Sequence, residues 1–114
     1  MNNPPQFPDD DNGDVLRRMY SAGDDLTQPR MIDFCFIFPE RGRALAFAGL
    51  VDDEHSEVCI SYYQGRKMWQ TVVKHHMVPD HKGITAMEAA LAAKAMSVGG
   101  KADGWGCMQV ARKD

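Results

Sequence analysis

Between Met31 and Phe38 the chain reads Met-Ile-Asp-Phe-Cys-Phe-Ile-Phe and stops at Pro39. Ile32, Phe34, Phe36 and Phe38 recur at every second position, so in a strand all four point to one face. The opposite face carries Met31, Asp33, Cys35 and Ile37, a mixed set. Such a stretch reads as a central strand, one face packed under helices and the other partly covered or wet. Asp33 interrupts the apolar run, and the run is far shorter than the ~20 residues a membrane-spanning helix needs.

The rest of the chain is arranged around that strand. Met-Asn-Asn-Pro-Pro-Gln-Phe-Pro, residues 1–8, cannot form a helix and predicts an extended arm. Asp9-Asp10-Asp11-Asn12-Gly13-Asp14 suits a helix N-cap and first turn, where carboxylates meet the positive end of the dipole. Val15, Leu16, Met19 and Tyr20 follow at helical spacing, and Gly23 is a stop, giving a helix over about 10–22. Asp24 to Arg30 is a loop. After the strand, Glu40 opens a second helix with Ala44, Leu45, Phe47, Ala48 and Val51 at its apolar positions. Asp52-Asp53-Glu54 closes it, an end at which acids do not help a helix.

Glu57 to Tyr63 alternates again, with Val58, Ile60 and Tyr62 on one face. Gln64-Gly65-Arg66-Lys67 is a turn, with the glycine suited to positive φ. Met68 to Met77 is the return strand of a hairpin, with Trp69, Thr71 and Val73 toward the core. Pro79 ends it. An alanine-rich helix follows, with Thr85-Ala86-Met87-Glu88 at capping-box spacing and a start as early as Asp80. Its buried stripe is Ile84, Met87, Leu91, Ala95 and Val98, and Gly99-Gly100 ends it. A loop through Asp103-Gly104 leads to a last strand over Trp105 to Val110, and residues 111–114 read as a frayed tail. Without the first helix this order is βαββαβ. Two right-handed crossovers then give an antiparallel sheet in spatial order 4-1-3-2, with both crossover helices on one face.

Totals narrow the function. With 114 residues and 44% hydrophobic content, the chain makes one folded domain, over 9–110. The net charge of −3 is uneven: residues 1–25 hold six Asp against two Arg, and the remainder ten acids against eleven bases. No dense basic run marks a nucleic-acid binder. The N-terminus is polar and proline-rich where a signal peptide would be apolar. Cys35, Cys59 and Cys107 form no CxxC pair and, as unpaired thiols, fit a reducing cytosol.

Three stretches are familiar together: Phe7-Pro8-Asp9-Asp10-Asp11-Asn12-Gly13-Asp14-Val15-Leu16, the Met77-Val78-Pro79 junction, and Gly99-Gly100-Lys101-Ala102-Asp103-Gly104-Trp105-Gly106. Pro29-Arg30-Met31-Ile32-Asp33-Phe34 belongs with them. In this order and spacing the chain resembles the regulator of ribonuclease E activity B family (RraB-like proteins), over roughly Phe7 to Val110. Tyr62-Tyr63 and His75-His76 stand outside that resemblance. The resemblance implies an α+β fold, a ferredoxin-like α/β sandwich with an extra N-terminal helix. It implies a cytoplasmic protein that binds ribonuclease E and lowers its activity without being a nuclease, and it brings no catalytic residue, cofactor or metal ligand with it.

The candidate chemistry is therefore that of contact. Asp9, Asp10, Asp11 and Asp14 place four carboxylates within six residues, more than one helix cap requires. Beside capping and solubility, they offer a docking surface for an arginine-rich segment of a protein partner. Trp105, between Gly104 and Gly106, is a core residue or a partner contact. His75, His76 and His81 do not make a metal site on their spacing, since adjacent strand residues point to opposite faces. If Gly106, Met108 and Val110 face the helices, Cys35, Cys59 and Cys107 all lie on the other side as structural thiols. The reading is a protein-binding inhibitor of a ribonuclease E-type enzyme, with no cofactor, no direct nucleic-acid contact and no membrane contact. The alternatives are an immunity protein neutralising a toxin and a small metal-dependent hydrolase.

Overall fold

The structure, a computed structural model, describes residues 6–51 and 55–112. Residues 1–5 of the expected arm, the acids Asp52-Asp53-Glu54 and residues 113–114 of the expected tail lie outside the described residues. The elements are α1 (Asp11–Ser21), β1 (Arg30–Phe38), α2 (Arg41–Leu50), β2 (Ser56–Tyr63), β3 (Met68–Met77), α3 (His81–Ser97) and β4 (Lys101–Cys107). They form one four-stranded antiparallel sheet in the order β2-β3-β1-β4, the expected order read from the other side. Three helices and this sheet make an α+β arrangement compatible with a ferredoxin-like sandwich.

β1 lies inside the sheet because its composition leaves it no other place. Ile32, Phe34, Phe36 and Phe38 are at most 1% exposed and form one core with Leu16 of α1, Ala44 and Phe47 of α2, and Ile84, Leu91 and Ala95 of α3. All three helices thus pack on the same sheet face. The Phe47 ring sits 4.9 Å from that of Phe36 and 5.3 Å from that of Phe38, both tilted as aromatic pairs prefer. Phe38 also presses on Gly100, where any Cβ would collide with the ring, so α3 has to end on a glycine to reach β4. Val73 and Thr71 of β3 are fully buried and Trp69 packs against the same core, as expected. Tyr62 and Leu45 differ: Tyr62 lies half-exposed against Trp69 and Leu45 faces solvent, because the core ends before reaching either.

The helix ends follow local chemistry. Asp10 caps α1, its side chain accepting from the Gly13 N–H at 2.7 Å, and Asp80 caps α3 through Gly83 N–H at 2.6 Å. The cap at Asp80 leaves the Thr85 box unused. Gly23 closes α1 with φ of 97°. In the hairpin turn, the left-handed residue is Lys67, with φ of 52°, and not Gly65.

The C-terminal region departs from the sequence reading. β4 starts at Lys101 and ends at Cys107, four residues earlier than expected at its start. Its pairing with β1 shifts register: Phe36 faces Ala102, whereas Phe34 faces Trp105. Asp103 and Gly104, read as a loop, are the bulge that absorbs the shift, with Gly104 at φ of 97°. The bulge reverses the alternation beyond it. Trp105 and Cys107 face the helices, and Gly106 lies on the open face opposite Asp33. Cys107 is therefore separated from Cys35 and Cys59, which remain on the open face on either side of Val72.

Ala111 and Arg112 are tied down, against the expectation of a frayed tail from 111. Ala111 bridges to Asp24, and Arg112 donates its N–H to the Gly23 carbonyl at 2.9 Å while its guanidinium lies over the Tyr20 ring. Beneath them lies a buried ion pair. Arg30 Nη1 meets Asp24 Oδ2 at 2.8 Å and also donates to the Met108 carbonyl at 2.9 Å, while Nη2 donates to the Asp25 carbonyl at 2.7 Å. The Asp24 carboxylate raises the Arg30 pKa further above its usual value, against the opposing effect of burial.

Candidate protein-binding site

The start of α1 holds the acidic run, and its members have different work. Asp10 is committed twice: it caps the helix and takes His81 Nε2 of α3 at 2.8 Å. The Gly13 N–H, then His81, hold its carboxyl below the ordinary carboxylate value. Asp14 pairs with Arg17 at 2.6 Å, on a surface where such a pair contributes little to stability. Asp9 and Asp11 are exposed, and among the described residues neither has a hydrogen-bond or ion-pair partner. Two of the four carboxylates are therefore open to a visitor.

Trp105 is brought to the same corner, although 91 or more residues separate it from the acidic run. Its indole Nε1–H donates to Asn12 Oδ1 at 2.9 Å, and Asn12 Nδ2 donates onward to Thr85 Oγ1 and Glu88 Oε1, both at 3.1 Å. Asn12, which the sequence reading passed over, thus joins α1, α3 and β4 by one amide. Trp105 is half-buried against the core with its polar atom already used. Its place is that of a strut under the acidic turn, and it stays partly exposed.

The open face of the sheet is the second surface. Asp33 lies opposite Lys74, and Lys74 opposite Glu57, a row of acid, base and acid across three strands. Below it runs the row Cys35, Val72 and Cys59. Burial, followed by the charge of Asp33, pushes the Cys35 thiol up, which makes it a poor nucleophile. Burial likewise raises Cys107. Across this face, from β4 over β1 to Lys74 and Glu57, runs a groove of about 900 Å³, lined also by Met31, Asp33, Gly104 and Gly106. Farther along, Tyr63, Gln70 and the Arg66–Asp103 bridge at 2.9 Å line a smaller pocket with Ile37, which is buried on the otherwise open side.

His75 and His76 stand opposite Ile32 and Met31 respectively, hence on opposite faces, and His75 Nδ1 contacts Ser56 Oγ at 2.8 Å. Among the described residues, no three His, Cys, Asp or Glu side chains gather as a metal site would require. No helix among them is long and apolar enough to cross a membrane.

Fold and surfaces together define a small α+β protein with helices on one sheet face, a second face left uncovered by the described residues and an acid-tipped first helix. The chain belongs to the regulator of ribonuclease activity B family, whose sequence model matches residues 9–107. The family is one of regulators and not of catalysts. No curated protein sequence matches the chain.

Proposed function

We propose that this protein restrains a ribonuclease E-type endoribonuclease in the cytoplasm by direct contact with a basic segment of the enzyme, outside its catalytic centre. Family membership supports the regulatory role. The observation that carries the contact is the pair of exposed carboxylates Asp9 and Asp11, without partners among the described residues, on either side of the α1 N-cap Asp10, with Asp11 next in sequence to Asn12, which holds Trp105. Exposed charges of this kind steer association and discriminate between partners more than they add affinity.

The test substitutes Asp9→Asn together with Asp11→Asn and leaves Asp10 alone, because Asp10 caps α1 and meets His81. Thermal stability is expected to move by no more than ~0.5 kcal/mol, as for surface changes away from structural features. Association with the endoribonuclease slows, and the difference from wild type shrinks as salt screens it over ~8 Å. Equal binding with equal salt dependence removes these carboxylates from the contact. The purified protein by itself leaves RNA intact, with or without divalent metal. Cleavage that co-purifies with the protein and disappears in His81→Ala would overturn the regulator reading.

A further inference from the structure

The geometry points to the free edge of β4 as the seat of an extended partner segment, with a lysine or arginine of that segment reaching across Gly106 to Asp33. This rests on the reading of the protein as a contact regulator and says where the basic segment is gripped.

β4 ends the sheet, so among the described residues its outer edge has no strand beside it. The bulge at Asp103–Gly104 interrupts the ladder, and pairing with β1 resumes at Trp105, Gly106 and Cys107. An added strand places alternate side chains over the open face. Its residue beside Gly106 then faces a continuous row: Gly106, Asp33, Lys74, Glu57. Gly106 puts no side chain in the way, and a Cβ built there would meet no atom within 4 Å. The span from the added strand to Asp33 is two strand spacings, about 10 Å. A long basic stem and the aspartate side chain cover that distance together.

The charges favour that occupant. Among the described residues Asp33, Lys74 and Glu57 form no ion pair within 4 Å, so the row of acid, base and acid keeps an unmatched negative charge. Asp103, also on the groove, is already matched by Arg66. A basic residue at the edge extends the alternation, and cross-strand opposite charges stabilise a sheet. Met31 and Met108, 39% and 82% exposed at the groove, offer apolar contact to the segment's neighbouring side chains. A second copy of this chain paired at Gly106 would bring Asp33 toward Asp33, and RNA phosphates would meet carboxylates.

The test uses the full chain and a short fluorescent peptide alternating valine and arginine, with a twin in which citrulline replaces arginine. Wild type is expected to bind the arginine peptide at least about tenfold more tightly than the citrulline twin. Gly106→Val fills the gap without a clash and without a positive φ to strain, so it keeps the fold while weakening the arginine peptide at least about tenfold. Asp33→Asn does the same by removing the charge, and stands in if Gly106→Val fails to fold. No binding by wild type, equal binding of the twins, or a folded Gly106→Val that binds like wild type overturns the inference. So does a wild-type dimer in sedimentation that Gly106→Val dissolves, since the occupant is then a second copy. Restraint of the endoribonuclease is measured alongside. If Gly106→Val restrains it as wild type does, the edge site is overturned and the regulator reading stands. If wild type does not restrain it while the peptide results hold, the regulator reading fails and the edge site stands.

Discussion

The two faces of β1 are built from neighbouring residues and obey different rules. Toward the helices, Ile32, Phe34, Phe36 and Phe38 are closed off from water and interlock with all three helices. Toward the open side, Met31, Asp33 and Cys35 remain partly or fully accessible. The first face holds the molecule together, and its tolerance is set by volume and by the cost of an unbonded polar atom. The second is constrained by charge order and by what is allowed to lie across it. A surface of this kind remains available for contact because the fold does not depend on it.

The sharpest way to separate the faces is to empty the closed one. Phe36→Ala is expected to destabilise by ~3–5 kcal/mol in denaturant unfolding, since it leaves a cavity beside Phe47. A loss below about 1 kcal/mol would mean that the faces are not so distinct. A smaller change, of opposite sign, comes from Thr71 on the same face. Its hydroxyl is buried between the positions of Phe36 and Ile60 and has no hydrogen-bond partner among the described residues. Thr71→Val keeps the shape and removes the orphaned group, so it is expected to stabilise by about 1 kcal/mol. Destabilisation would show that the hydroxyl has a partner in solution. The smallest effect belongs to the open face: Cys59→Ser, at an exposed position, is expected to stay within about 0.5 kcal/mol. A concentration-dependent loss there would reveal that the face is covered in solution.

Much of this was legible in the chain, and the reasons are local. The period-two run at Met31–Phe38 gave the central strand, and the Pro and Gly breaks set most element ends to within one or two residues. The order of elements then left one sheet order. What escaped depends on pairing at a distance. The bulge at Asp103–Gly104 is a mismatch between β4 and β1, and a single extra residue reversed the assignment of Trp105, Gly106 and Cys107. The Asp24–Arg30 pair looked like loop chemistry, because nothing near those residues says that the chain end closes over them. At the candidate site, the acidic run was plain in the sequence. Its division into committed Asp10, paired Asp14 and open Asp9 and Asp11 rests on His81 and Arg17, one of them 71 positions from Asp10.

The Arg30 arrangement has a consequence for how the protein is made. Its guanidinium is completed by the Met108 carbonyl, 78 positions later in the chain, so translation at the usual pace separates the two by roughly 4–16 s. Through that interval the nascent chain already carries β1 and its aromatic stripe, but Arg30 and Asp24 must keep their water. The corner they occupy closes only once Met108 to Arg112 is available to lie over it. A chain that stalls before that point lacks the Met108 carbonyl and the cover of Ala111, so its Asp24–Arg30 pair sits in a more open corner than in the complete fold.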